Sequence, residues 1–140
     1  MKILLPVDGS ECTQRMIAYL AAHDEFFDAR HEYVMLLAIQ LLPANVASLL
    51  DPDAVDEYCD REVQRVFAPL KEIGATNKWK ARFETVTGEA GASIARVAEE
   101  GKFDLIVMGS HGRTALANVV AGSVATSVLA RCKTPVLLIR

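Results

Sequence analysis

The chain has 140 residues, 51% of them hydrophobic and 24% charged, with a formal net charge of -3. That length and apolar content suit one folded domain with a proper core, residues 1–140, and exclude a disordered chain. The slightly acidic balance excludes a general nucleic-acid binder, which carries a basic face, and no apolar run is long enough to span a bilayer.

Residues 2–7 form a short apolar run, so close to the start that no room is left for a signal peptide. Asp8-Gly9-Ser10 breaks it, and Ser10 can cap a helix that carries Met16, Ile17, Leu20 and Ala21 on one face. Residues 33–39 are a second apolar run. The stretch 42–50 is the one long connection. Asp51-Pro52 then marks a helix start, an N-cap residue followed by proline in the first turn. Val55, Cys59, Val63, Val66, Leu70 and Ile73 recur at steps of four and three, giving one apolar stripe. Pro69 falls within it, so a kink or early fraying is expected there, with Gly74 as the end of the helix.

Residues 78–86 alternate polar with apolar, Trp79, Ala81, Phe83 and Thr85 against Lys80, Arg82 and Glu84. This is the pattern of a half-exposed strand near a sheet edge. A short helix over 93–100 turns Ile94, Val97 and Ala98 inward and stops at Gly101. Residues 105–108 are apolar throughout, as in a central strand. A last helix over 124–130 has Arg131 and Lys133 near its C-terminal end, where cations favour the dipole. Pro135 leads into the final run, Val136–Ile139. The alternation β-α-β-α-β-α-β-α-β implies an α/β fold with a parallel sheet and helices on both faces.

In such a sheet, ligands bind beyond the C-terminal strand ends, where the strand order reverses. The first strand ends at Val7-Asp8-Gly9-Ser10 and the fourth at Met108-Gly109-Ser110. Gly109 and Gly112 permit positive φ and close backbone approach, the conditions for an anion nest, and Ser110 adds a hydroxyl. Gly122-Ser123 opens the last helix, where unpaired N–H groups favour phosphate. Asp8 lies where a ribose hydroxyl, or a metal on the phosphates, would meet a carboxylate. The same residues also make ordinary turns and caps. His111 and Arg113 are weak signals on their own, and Gly88 with Gly91 reads as a turn. There is no GxxxxGK[ST] loop, no GxGxxG after the first strand and no GxSxG elbow. Cys12, Cys59 and Cys132 form no CxxC pair and share no ligand spacing with His23, His31 or His111. They read as reduced packing residues of a cytosolic protein rather than metal ligands.

Gly109, Gly112, Gly122 and Ser123 match, without a gap, the G-x2-G-x9-G-[ST] hallmark of the nucleotide-binding branch of the universal stress protein family, and the whole chain resembles that family. The resemblance implies a three-layer αβα fold with four main helices and a five-stranded parallel sheet in the order 3-2-1-4-5. It implies an ATP site in which Val7 and Asp8 lie near the adenosine and backbone around Ile39 meets adenine. Met108, Gly109, Ser110, His111, Gly112, Gly122, Ser123 and Val124 would then line the ribose and phosphates. Magnesium or manganese would be held through the phosphates. The resemblance further implies a homodimer through Val136–Ile139, an apolar edge strand that needs covering. In the family the second strand often finishes with a histidine where this chain has Ala38, which weakens the adenine-side assignment. The function implied is nucleotide binding and regulation in the cytoplasm, with at most slow hydrolysis. The alternatives are an ATP hydrolase using Asp8 or His111, and a nucleotide-free interaction module. A phospho-receiver domain is disfavoured, because the acceptor position at the end of the fourth strand is Gly109.

Overall fold

The computed structural model describes residues 1–40, 44–47, 49, 51–111 and 121–140. Strands β1 (Lys2–Pro6), β2 (Glu32–Ile39), β3 (Lys80–Thr87), β4 (Leu105–Gly109) and β5 (Val136–Ile139) form one sheet. Its order is β3-β2-β1-β4-β5 and every pair is parallel. The four main helices are α1 (Glu11–Ala22), α3 (Pro52–Thr76), α4 (Ala90–Glu100) and α5 (Ser123–Arg131), and a single turn, α2 (Ala44–Ala47), lies in the β2–α3 connection.

Successive strand residues point to opposite faces, and the core divides accordingly. Ile3, Leu5, Tyr33, Met35 and Leu37 pack with Met16, Ile17 and Leu20 of α1 and Val66, Phe67 and Leu70 of α3. Leu4, Val34, Leu36, Ile106 and Met108 pack on the other face with Ile94 and Ala98 of α4 and Ala125 and Val128 of α5. Burial on both faces is why β1, β2 and β4 are apolar without alternation. The two remaining strands lie at the edges. In β3, Ala81 and Phe83 pack under α3, but Thr85 is exposed and Val86 packs on the opposite face, so the alternation expected to include Thr85 stops at Phe83.

Two aromatic donors tie the α1–β2 connection to this core. Buried Tyr33 donates its hydroxyl to the Asp28 carbonyl at 3.0 Å, and Trp79 Nε1 donates to the Phe27 carbonyl at 3.1 Å. Among the described residues no helix is long and apolar enough to cross a membrane.

Three expectations about helices are corrected. Helix α3 starts at Pro52 under an Asp51 cap, as expected, but neither frays at Pro69 nor ends at Gly74; it runs on to Thr76. Buried Val66, Phe67 and Leu70 hold the helix to the sheet on both sides of Pro69, and packing outweighs the one hydrogen bond proline removes. Gly74 is buried against Ala81 of β3, and the helix is closed instead by Asn77, whose side chain donates to the Ile73 carbonyl at 2.8 Å. Helix α4 starts three residues earlier than the apolar pattern implied, at Ala90. The Gly88/Gly91 pair is therefore not one turn. Gly88 is the turn, at φ +135°, and Gly91 sits within α4. The connection over 42–50 lies partly outside the described residues.

Gly91 is where α4 meets α5. A Cβ there would fall within van der Waals contact of both Cβ and Oγ of Ser127, close enough that one helix must move. Gly91→Ala is expected to destabilise the fold by about 1–3 kcal/mol. Adding Ser127→Gly recovers part of that loss, whereas adding Ser127→Ala, which retains the Cβ, does not; thermal melting of the three variants measures this.

Candidate functional site

The chain runs from β1 outward to β2 and β3, then returns to place β4 on the other side of β1. The segments leaving β1 and β4 therefore diverge to opposite faces and leave a crevice above them. A cleft of about 520 Å³ occupies it, within the usual size range of small-molecule sites. Val7, Asp8, Ile39, Met108, Gly109, Ser110, His111, Gly122, Ser123 and Val124 all line this one cleft. Gly112, and Arg113 beside it, lie outside the described residues.

Asp8 is held by the turn it opens. Its Oδ1 accepts from the Ser10 backbone N–H at 2.9 Å and from the Thr13 hydroxyl at 2.7 Å. The Asp8 N–H donates to Thr13 Oγ1 at 3.2 Å, and Ser10 Oγ accepts from the Thr13 N–H at 3.3 Å as the α1 cap. Gly9 makes the turn at φ +73°, a left-handed conformation that only glycine adopts at little cost. The carboxylate is thus set in orientation before any ligand arrives.

The β4–α5 side differs from the expected anion nest. Gly109 closes β4 outside the left-handed region. A Cβ there would sit 2.8 Å from the Cβ of Cys12 and 3.2 Å from the His111 carbonyl. Its lack of a side chain thus serves the approach of α1 to β4. Two backbone amides are also already committed: Ser110 N–H donates to the Ile139 carbonyl at 2.8 Å, and Gly122 N–H to the Ser110 carbonyl at 2.6 Å. The second bond is informative, because it joins the two halves of the motif and seats the start of α5 against the end of β4. Gly122 is the α5 N-cap, with φ −67° and ψ 166°, and brings no side chain to the cap. The first turn of α5, Ser123 to Ala125, opens on the cleft, where a helix presents amides without intrahelical partners and the positive end of its dipole. Buried Ser110 pairs through its hydroxyl with His111 Nδ1 at 3.0 Å, so His111 is a cleft residue rather than a solvent-facing one.

One wall had no signature in the sequence. Val55, Tyr58, Cys59 and Glu62 of α3 line the cleft. Val55 and Cys59 belong to the apolar stripe that reads as uniform core, yet of that stripe only Val66 and Leu70 are fully buried. The spacing 55, 58, 59, 62 is one helical face, but nothing local separates a face on a cleft from a face on a core. Gly88, Ala90 and Ile94 complete the rim. The Ile39 carbonyl accepts from the Gly88 N–H at 3.0 Å, closing the β2–β3 end of the floor. Among the described residues no three of His, Cys, Asp and Glu gather as a metal site, and the three cysteines are free thiols.

The model of the universal stress protein family matches residues 1–140. The chain belongs to that family. It is 27% identical over 159 aligned residues to universal stress protein MJ0577 of Methanocaldococcus jannaschii, covering 99% of this chain and 94% of that one. The solved structure of MJ0577 superposes with a TM-score of 0.76. At lower identity, where the likeness shows the fold alone, two further members were solved with ligands. The Archaeoglobus fulgidus protein is in complex with dAMP (TM-score 0.67, 17% identity, 100% of this chain and 98% of that one). The Arabidopsis thaliana protein has AMP bound (TM-score 0.71, 12% identity, 99% and 90%).

In this universal stress protein the β3–α4 corner beside the cleft is built on Glu89. Its carboxylate accepts from the Ala92 N–H at 2.7 Å and the Gly91 N–H at 2.8 Å, doing the work usually given to Ser, Thr, Asp or Asn. The bond from Ala92, then that from Gly91, holds the carboxyl below the usual glutamate value of 4.5. A lowered folded value means the ionised cap stabilises the fold above pH 4.5, and that contribution disappears as pH falls through the folded value. Glu89→Ala is expected to cost about 0.5–1 kcal/mol at pH 7, the low end for a cap because the carboxylate is exposed. In thermal melts the gap from the parent protein narrows progressively as the pH is lowered below 4.5.

Proposed function

We propose that the chain acts as one adenine-nucleotide-binding domain, with ATP as its ligand, and that it serves as a regulatory stress protein of the cytoplasm. The observation that carries this reading is the Gly122–Ser110 backbone bond, which sets the open first turn of α5 beside the end of β4 and across one cleft from Asp8. A helix N-terminus suits a phosphate chain, a fixed carboxylate suits nucleoside hydroxyls, and the apolar floor of Leu36, Leu37 and Ile39 suits a base. The family members with AMP and dAMP bound support the ligand class.

The proposal includes a magnesium or manganese ion held through the phosphates rather than by a set of protein ligands. Such an ion would neutralise phosphate charge. Asp8 holds its orientation through Ser10 and Thr13, and His111 is engaged by Ser110, an arrangement suited to retention rather than turnover.

The proposal includes a homodimer through β5. Val136, Leu137 and Leu138 are only partly buried, β5 pairs on one side with β4, and Leu129 of α5 is exposed. An apolar edge of this kind is stabilised by a second copy. Sedimentation of the purified protein is expected to return the mass of two chains.

Denaturing the purified protein and chromatographing the supernatant is expected to release adenine nucleotide. Gly122→Val, whose side chain the extended backbone at that position tolerates, is expected to fold and to lose ATP affinity by at least about tenfold. A folded variant with undiminished affinity would overturn the reading.

A further inference from the structure

Glu62, in the third turn of α3, lines the cleft, and its side chain is only 19% exposed, unusual for a glutamate on an outer helix. One guanidinium holds both of its oxygens. Arg65 Nε donates to Oε2 at 2.9 Å and Arg65 Nη2 to Oε1 at 2.8 Å. This two-point grip orients the carboxylate as a single bond would not. Arg65 also covers the turn that carries Asp8. A Cβ on Gly9 would lie 3.1 and 3.2 Å from its two terminal nitrogens. Glu62 first, and Asp8 further off, both favour the charged guanidinium. One cation therefore pairs with Glu62 and lies beside the turn that carries Asp8, and both carboxyl residues line the cleft.

The cleft consequently has two poles. The β4–α5 end offers backbone donors and a positive helix terminus, while the α3 end offers the Glu62 and Asp8 carboxylates, whose oxygens accept. A ligand suited to both has an anionic tail and, further along, hydrogen-bond donors. On the nucleotide reading above, on which this inference rests, those donors are the two ribose hydroxyls. Asp8 cannot serve both well, because Oδ1 already accepts from Ser10 and Thr13 and leaves it at most one oxygen to offer. We propose that Glu62 determines sugar specificity in this cleft, accepting a hydrogen bond from one ribose hydroxyl while Asp8 serves the other, with Arg65 as its positioning residue. An i,i+3 salt bridge that merely decorated the helix would contribute little and would be indifferent to the sugar.

The test is calorimetric titration of the full chain, in magnesium buffer, with ATP, 2′-deoxyATP and 3′-deoxyATP. The parent protein is expected to prefer ATP over one of the two analogues by about tenfold. Glu62→Ala is expected to reduce that ratio to within about twofold while binding the disfavoured analogue as the parent does. Glu62→Gln keeps the shape of the side chain with a weaker, neutral acceptor, and Arg65→Lys keeps the charge without the planar fork; both are expected to give intermediate ratios. Glu62→Gln carries the comparison if the alanine variant melts early. An unchanged ratio in Glu62→Ala, or a parent protein that treats all three nucleotides alike, would overturn the proposal. A parent protein that binds none of the three would overturn the nucleotide reading itself, a different result from binding without discrimination.

Discussion

Everything in this molecule depends on β1 having a parallel neighbour on each side. Pairing with β2 on one edge and β4 on the other puts the strand in the middle of the sheet, where helices cover both faces, and Ile3, Leu4 and Leu5 are wholly inaccessible to solvent. Parallel strands require long crossovers, and α1, which leaves β1, and α5, which leaves β4, depart to opposite faces of the sheet. The gap between their points of departure is the cleft. No residue opens it; it is what remains when two crossovers diverge from adjacent strands.

What the chain places around that gap is mostly backbone held by local bonds. The Asp8 turn is braced by Ser10 and Thr13, α4 is opened by Glu89, and α5 is anchored to β4 through a main-chain hydrogen bond from Gly122. The small residues contribute in different ways. Gly9 permits a left-handed turn, Gly109 lets α1 approach β4, and Gly122 leaves a helix terminus uncovered. Among the described residues of the glycine motif, Gly109 is a packing residue and Gly122 an open helix end, tied to the end of β4 by a hydrogen bond to Ser110.

Much of this was legible beforehand. The apolar runs of β1, β2 and β4 mark strands buried on both faces, the half-alternation of β3 marks an edge, and Asp51-Pro52 marks the start of α3. The C-terminal end of α3 and the start of α4 were not. Gly74 looks like a stop because glycine is a poor helix former, but it packs against Ala81 of β3, a tertiary contact that no local pattern marks. The start of α4 was hidden because its cap is a glutamate, and glutamate in a sequence does not announce a cap. The α3 wall was hidden for another reason: Val55 and Cys59 continue the same stripe as Val66 and Leu70, so periodicity assigns them one fate.

The sequence by itself determined the α/β class and the positions of the strands, because side-chain periodicity and turn chemistry are local properties written along the chain; Val7, Ile39, Met108 and Val124 entered as cleft residues only through the family resemblance. The tertiary structure decided which part of the α3 stripe faces a cavity, that Arg65, paired with Glu62, comes to lie over Gly9, and that the Ser110 and Gly122 amides are already spent. Those outcomes depend on where a long helix lands relative to a strand some fifty residues away, and only the packing of both core layers sets that distance.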